Sequence, residues 1–270
     1  MKYSEHVNPG TQHLASFMTT PVLSKVPEVT LAFWIIKILT TAMGEATSDF
    51  LVHWNPAIGV LLGSLGFIAA FVLQFRQARY VAWIYWLFVV MVAIVGTMAA
   101  DVMHAVVGVP FSYSTLGLAI VLGAVFLFWY RSEKTLSIHE ITTRRRELFY
   151  WLTVCATFAL GTAAGDMTAA TLKLGFFISG LLFLALLLAP AIAWRLFRIN
   201  DIFAFWFAYI MTRPLGASFA DWAGKPPRIH GLGFGDGTVG LALTLLILVF
   251  VAVGSTRRSA RNTRHIQNSA

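Results

Sequence analysis

Four aspartates recur at one position of a repeated sequence motif, and acids of this kind could bind a cation or relay protons. Asp49, Asp101, Asp166 and Asp221 each follow a tryptophan by fifteen residues and a glycine by five. An ionisable side chain inside a membrane span costs about 2.5–3.5 kcal/mol on insertion scales and normally faces a cavity or a partner. Since four aspartates at matched positions each carry this cost, we predict that they form a shared ring of carboxylates. The structural alternative is that these acids only cap helix ends or bond neighbouring helices.

Further metal-ligating side chains fall near two of these aspartates. Glu45 precedes Asp49 by four residues and His53 follows it by four, while His104 follows Asp101 by three. Residues three or four apart share one face of a helix. Carboxylate and imidazole ligands suit first-row divalent ions such as Mn, Fe, Co or Zn. We therefore predict a metal site built from the four motif aspartates with Glu45, His53 and His104, although an imidazole near a helix end needs no ligand role.

Two basic residues, Lys37 and Arg213, fall within apolar stretches of the first and last repeats. Set against Glu45 and the four motif aspartates, five acids and two bases leave a formal charge of minus three. The simplest role for the two bases is to neutralise motif acids, and the alternative is that they compete with a transported cation. Thr97 and Thr162 precede their aspartates by four residues and share the same helical face. We include these four residues as candidates for transport or coupling.

The composition places these residues in an all-α integral membrane protein. Of the 270 residues, 58% are hydrophobic and 12% are charged, which excludes a soluble domain. The single cysteine, Cys155, excludes a disulfide framework. Eight apolar stretches are long enough to cross a hydrocarbon core of about 30 Å as helices. They cover residues 29–52, 57–75, 80–107, 113–130, 148–170, 173–194, 202–223 and 236–254.

The distribution of basic residues predicts the orientation. Fifteen lysines and arginines fall on one set of segments, and only Lys173, Lys225 and Arg228 fall on the opposite loops. Because cytoplasmic loops carry the excess of basic residues, both termini are predicted to be cytoplasmic. We expect a cytoplasmic segment over residues 1–28, a membrane domain over 29–255 and a basic cytoplasmic tail over 256–270. The same excess gives no reason to expect a nucleic-acid partner.

The motif repeats four times without a gap. Its copies are Phe33-Trp34 with Gly44, Tyr85-Trp86 with Gly96, Tyr150-Trp151 with Gly161 and Phe205-Trp206 with Gly216, each followed by its aspartate. Four units of two helices follow, over about 29–79, 80–140, 141–199 and 200–255, and their motif helices are parallel. We expect the glycines to be close-packing points and the aromatic pairs to form an interfacial belt.

With this register, the chain resembles a family of bacterial membrane proteins built from four tandem repeats. Each repeat in that family has two transmembrane segments and a characteristic tryptophan, and the family is catalogued as a domain of unknown function. The resemblance covers roughly residues 29–255. It implies eight transmembrane helices in the bacterial inner membrane, and it supplies no substrate or catalytic residue.

The leading functional hypothesis is a cation transporter with the aspartate ring as its site. A divalent metal ion such as Mn²⁺ would be the substrate, and protons could run inward through the same carboxylates if the protein exports. The partners expected are the lipid bilayer and a small cation, with homo-oligomers left open. We predict neither a catalytic residue nor an organic cofactor.

Three alternatives remain. The first is a proton-coupled carrier of a small organic molecule. The second is a haem-binding redox protein with His53 and His104 as axial ligands. The third is a structural or regulatory protein in which the aspartates only hold the helices of the bundle together.

Overall fold

A computed structural model describes the backbone of residues 24–268 and the side chains of residues 24–254. Within these residues the regular elements are helices, and the chain has no strand there. The eight long helices are α1 (Leu31–Trp54), α2 (Pro56–Arg76), α3 (Ala82–Ala105), α4 (Phe111–Glu133), α5 (Arg144–Asp166), α6 (Gly175–Phe197), α7 (Asp201–Gly224) and α8 (Asp236–Asn268). Most of the predicted cytoplasmic segment 1–28, and the side chains of the predicted tail 256–270, lie outside the described residues.

Local sequence explains where several of these helices begin and end. Asn55 closes α1, and its Oδ1 accepts a hydrogen bond from the N–H of Ile58 at 3.1 Å, so α2 begins at once with Pro56. Lys134 and Arg198 end α4 and α6 in the left-handed conformation, with φ of 59° and 50°. Short connections of this kind make successive helices antiparallel neighbours.

Six of the helices are long and apolar enough to cross a membrane, which makes the chain a multi-pass membrane protein. They are α2, α3, α4, α5 with the π-helical turn that extends it, α6, and α8 as far as Gly254. The remaining two, α1 and α7, each have 24 residues, or about 36 Å of helix. Their apolar character is lower because α1 carries Lys37, Glu45 and Asp49 and α7 carries Arg213 and Asp221.

The four motif helices form a closed ring. α1 packs on α3, α3 on α5, α5 on α7, and α7 again on α1. The last contact includes a hydrogen bond from the Thr41 hydroxyl to the carbonyl oxygen of Thr212, at 3.0 Å. The repeats therefore close around one axis within a single chain. We call the two ends of this ring the Trp end and the Asp end, after the motif residues that lie there.

Each motif glycine lets its helix approach the next one around the ring. A Cβ atom on Gly44 would overlap Ala93, and one on Gly161 would overlap Arg213. The ring closes in the same way, because a Cβ atom on Gly216 would overlap the side chain of Thr41. The contacted residue is always the seventh after the motif tryptophan. The predicted close-packing role of these glycines is thus confirmed, and the same interlock is repeated around the ring.

The other four helices surround the ring. α2 packs mainly on α3, α4 on α5, α6 on α7, and α8 on α1, so each lies against the motif helix of the following repeat. Their outer faces expose large apolar side chains such as Leu65, Ile120, Leu188 and Val249. An apolar perimeter of this extent is suited to lipid and would be unstable in water.

The predicted interfacial belt of aromatic residues is wrong. Tyr85, Trp86, Tyr150, Trp151 and Trp206 are between 0% and 4% exposed, so they lie inside the ring rather than at its lipid boundary. The rings of neighbouring motif helices pack against one another, and the hydroxyl groups of Tyr85 and Tyr150 hydrogen-bond at 2.5 Å. Parallel motif helices bring equivalent residues to the same depth, where four aromatic pairs fill the space between them. The Trp end is therefore closed by a packed aromatic layer.

Candidate functional site

The guanidinium group of Arg213 lies inside the ring, where groups from the three other motif helices surround it. It donates to the Thr41 carbonyl oxygen at 3.0 Å, to Glu45 Oε2 at 2.6 Å and to Thr162 Oγ1 at 2.7 Å, and it also contacts Thr97 Oγ1. The side chains of Arg213 and Glu45 are 0% and 4% exposed. The expectation that Arg213 neutralises an acid is met by Glu45.

Arg213 can reach three helices because the four repeats differ at one position. The eleventh residue after the motif tryptophan is Glu45, Thr97 or Thr162 in the first three repeats and Ala217 in the fourth. Each of the first three supplies an acceptor to the guanidinium group, whereas the side chain of Ala217 has no acceptor to offer. The sequence placed these side chains on the same helical face as the aspartates, and the structure joins them to Arg213.

Lys37 is also buried in the ring but pairs with no acid. Its Nζ lies 4.2 Å from the ring centroids of both Phe158 and Tyr209, and the side chain is fully buried. Within residues 24–254 its Nζ has no hydrogen-bond partner. The attraction of an ammonium group to two aromatic faces is the interaction that holds it. Neutralisation of a motif acid by Lys37, the simpler of its two predicted roles, does not occur in this structure.

Three carboxylates meet at the Asp end of the ring. Glu45, Asp49 and Asp221 each place one oxygen within 4.8 Å of the other two. Carboxylate oxygens are the ligands that hard divalent cations prefer, at about 2.0–2.6 Å for Mg²⁺ and Ca²⁺. We call these three residues the carboxylate cluster. Among the described residues, this cluster is the group that could hold a metal ion.

The cluster has a cation beside it that the sequence interpretation missed. Lys225, the first residue after α7, contacts Asp49 Oδ2 and lies 3.4 Å from Asp236 Oδ2 and 3.9 Å from Asp221 Oδ1. Burial alone would lower the pKa of Lys225, but the carboxylates of Asp49, Asp221 and Asp236 raise it above its usual value. The ammonium group therefore stays charged. The sequence signal for this contact was the four-residue spacing from Asp221 to Lys225 across a helix end.

Asp101 and Asp166 complete the ring of motif aspartates. Both are half-buried, and both interact electrostatically with Glu45 and Asp49. Within residues 24–254 neither makes a hydrogen bond or an ion pair. They are therefore two carboxylates inside the protein that no cation contacts directly within the described residues, although the charge of Arg213 acts on both from a distance.

The interior is acidic overall. Six carboxylates face three cationic groups, which leaves a formal charge of minus three when all are ionised. The acids are Glu45, Asp49, Asp101, Asp166, Asp221 and Asp236, and the bases are Lys37, Arg213 and Lys225. Added cations or protons would reduce this charge.

The two candidate histidines lie outside the carboxylate cluster. His53 is exposed, and its Nδ1 lies 2.7 Å from the backbone oxygen of Asp49. His104 is exposed, stacks on Phe111 and places its Nδ1 3.0 Å from the backbone oxygen of Val109. His53 instead lines an open pocket of about 480 Å³ together with Lys225 and other residues of the α7–α8 connection. The structure thus brings Glu45, Asp49 and Asp221 together, whereas the predicted ligands Asp101, Asp166, His53 and His104 lie outside this group.

Comparison with known proteins identifies the repeats. A sequence model of the family described as Repeat of Unknown Function (DUF347) matches the chain four times, over residues 32–80, 84–135, 149–200 and 204–259. A search of curated proteins and a search of solved structures each gave no significant match.

Proposed function

The chain belongs to the Repeat of Unknown Function family, and we propose that it is a membrane transporter of a small cation, with a divalent metal ion such as Mn²⁺ as its substrate. The carboxylate cluster, joined by Asp101 and Asp166, is the proposed binding site. The observation that carries the proposal is the convergence of motif acids at one end of a closed ring, two of them without an ion pair in the described structure. Structural acids would be expected to have partners.

The two ends of the ring differ in their accessibility, and this difference supports a transport cycle of alternating access. At the Asp end, the side chain of Asp49 is 13% exposed and Asp101 and Asp166 are half-buried, while an open pocket adjoins Lys225. At the Trp end, the packed aromatic layer closes the axis. A cation could therefore reach the acids from the Asp end, and passage would require the aromatic layer to open.

The proposal also includes the topology. All eight helices cross the bacterial inner membrane, with both termini and the Trp end at the cytoplasmic face. α1 and α7 can cross because their charged side chains point into the ring, where Arg213 meets Glu45 and Lys225 meets Asp49. The excess of basic residues on one set of loops supports this orientation. In an exporter of this kind, protons would return through the carboxylates that release the metal ion.

Flux in proteoliposomes tests the proposal. Purified protein is reconstituted around a dye that Mn²⁺ quenches, and the initial quenching rate is measured after Mn²⁺ is added outside. Asp101→Asn and Asp166→Asn should each lower the rate by about tenfold or more, equivalent to about 1.4 kcal/mol. Asp201→Asn is the matched control, because Asp201 is an exposed acid at the opposite end of α7. Wild-type rates in both ring variants would exclude these carboxylates from a transport path.

A further inference from the structure

The ammonium group of Lys225 lies among three carboxylates at the Asp end. We propose that Lys225 is a tethered competitor for the cation site, whose ammonium group occupies the carboxylates of Asp49, Asp221 and Asp236 until a divalent cation displaces it. This inference rests on the proposed function, since it assigns the same site a built-in occupant. It makes Lys225 a residue that sets the affinity and the release of the transported ion.

Unpartnered polar groups one helical turn from two of the cluster acids support a built ligand site. Ser48 follows Glu45 by three residues and Ser218 precedes Asp221 by three, so each serine shares a helical face with a cluster acid. The two serines are 0% and 2% exposed, and neither Oγ has a hydrogen-bond partner within residues 24–254. Buried hydroxyl groups are normally satisfied. Two unsatisfied ones, each one helical turn from a cluster acid, fit a site whose ligand is a hydrated ion or an ammonium group.

The repeats show that Lys225 is an addition to the shared pattern. The nineteenth residue after the motif tryptophan is His53, Ala105, Ala170 or Lys225 in the four repeats. The second and third repeats thus have alanine at this position, and their aspartates make no ion pair within the described residues. A lysine required to stabilise every motif aspartate would be expected in each repeat. Because a lysine occurs at this position in the fourth repeat alone, the ring has one tethered cation at the depth of this position.

The backbone around Lys225 is fixed while its side chain remains accessible. The α7–α8 connection folds back along the end of α7, and Gly233 N–H donates to the Lys225 carbonyl oxygen at 2.9 Å. A Cβ atom on Gly231 would overlap that carbonyl group, so this close approach requires glycine. The Lys225 side chain is 16% exposed and lines the open pocket with His53 and Asp236. A cation arriving through the pocket can therefore exchange with the ammonium group without unfolding the connection.

If Lys225 competes for the cation site, its removal should change the affinity for the cation in a defined direction. When a tethered group occupies a site for about nine-tenths of the time, the apparent Kd of the free ligand rises about tenfold. Removing the ammonium group should therefore tighten cation binding. A lysine that only stabilised the folded protein would have the opposite effect or none.

The experiment measures Mn²⁺ binding to the full-length protein in detergent, from the paramagnetic signal of free Mn²⁺. Lys225→Gln should bind Mn²⁺ about tenfold more tightly than the wild type. Lys173→Gln is the matched control, since Lys173 is an exposed lysine in the α5–α6 connection at the same end of the bundle. Its affinity should equal that of the wild type. Unchanged or weaker binding by Lys225→Gln, with wild-type binding measurable, would overturn the competition.

A second arm separates this inference from the proposed function. Lys225→Ala leaves the three carboxylates without their ammonium group and should lower the Tm. Added n-propylammonium should raise the Tm of Lys225→Ala while leaving the wild type unchanged, and tetramethylammonium, which donates no hydrogen bond, should not. If no protein binds Mn²⁺, metal transport is contradicted, while recovery by n-propylammonium still establishes the tethered cation site. Absence of recovery in that case overturns the inference as well.

Discussion

Removing Arg213 while Glu45 stays in place should be among the most damaging single changes in the chain. The guanidinium group is fully buried, and its loss by Arg213→Met leaves a carboxylate that is 4% exposed without its counter-ion. Breaking a buried ion pair in this way typically costs about 3–5 kcal/mol. The acceptors of Thr41 and Thr162 lose a hydrogen bond in the same step.

The double variant gives the sharper result. Glu45→Met combined with Arg213→Met removes both charges together, and apolar replacement of a buried ion pair is often neutral or stabilising. We therefore expect the double variant to be more stable than Arg213→Met alone. The two effects should be strongly non-additive, because the residues are in direct contact.

Thermal unfolding in detergent measures this cycle. At about 2–4 °C per kcal/mol for a chain of this size, Arg213→Met should lower the Tm by about 6–20 °C. Arg195→Met, at an exposed position on α6, is the control and should stay within about 0.5 kcal/mol of the wild type. A loss below about 1 kcal/mol for Arg213→Met, or additive effects in the cycle, would refute the reasoning.

Two further changes test the ring and its second buried cation. Gly161→Ala should lower the Tm, because the added methyl group overlaps Arg213. Gly117→Ala on α4 meets open space and should keep or raise the Tm, since alanine favours a helix more than glycine does. Equal effects of the two changes would contradict the close contact of α5 and α7. Lys37→Met should keep or raise the Tm, since it replaces a buried ammonium group that has no hydrogen-bond partner in the described residues with an apolar chain of similar size. A large loss of Tm for Lys37→Met would show that the two aromatic faces stabilise the lysine more than its burial costs.

Much of this architecture could be predicted from the sequence, because the repeat register is explicit. The spacing of tryptophan, glycine and aspartate gave four parallel units, and Gly44, Gly161 and Gly216 form the close contacts that such a register implies. The six most apolar helices were also predicted by length and composition. Closure of the four units around one axis could not be predicted, because it depends on which helices contact each other. The tandem spacing fits a closed ring and also an arrangement of two separate halves.

Three of the candidate acids meet in the structure, and the base that the sequence interpretation missed is Lys225. Asp49 and Asp221 converge with Glu45 because equal depth on parallel helices brings them to one level. The spacing from Asp221 to Lys225 indicates one of the contacts of this lysine, but its contact with Asp49 joins residues 176 positions apart and leaves no trace in a single sequence. His104 satisfies a nearby carbonyl group instead of reaching the acids, which its spacing from Asp101 could not reveal. The aromatic pairs were misplaced for a related reason, because composition does not distinguish an interfacial ring from one that faces the axis.

The central claim is that the acids at the Asp end form a cation site, and elemental analysis tests it most directly. Protein purified without chelator is compared with variants in which Asp49, Asp101, Asp166 and Asp221 are changed to Asn one at a time. The wild type should carry a stoichiometric divalent metal that the variants lose, while Asp201→Asn retains it. Equal metal content in the wild type and all four ring variants would contradict the claim.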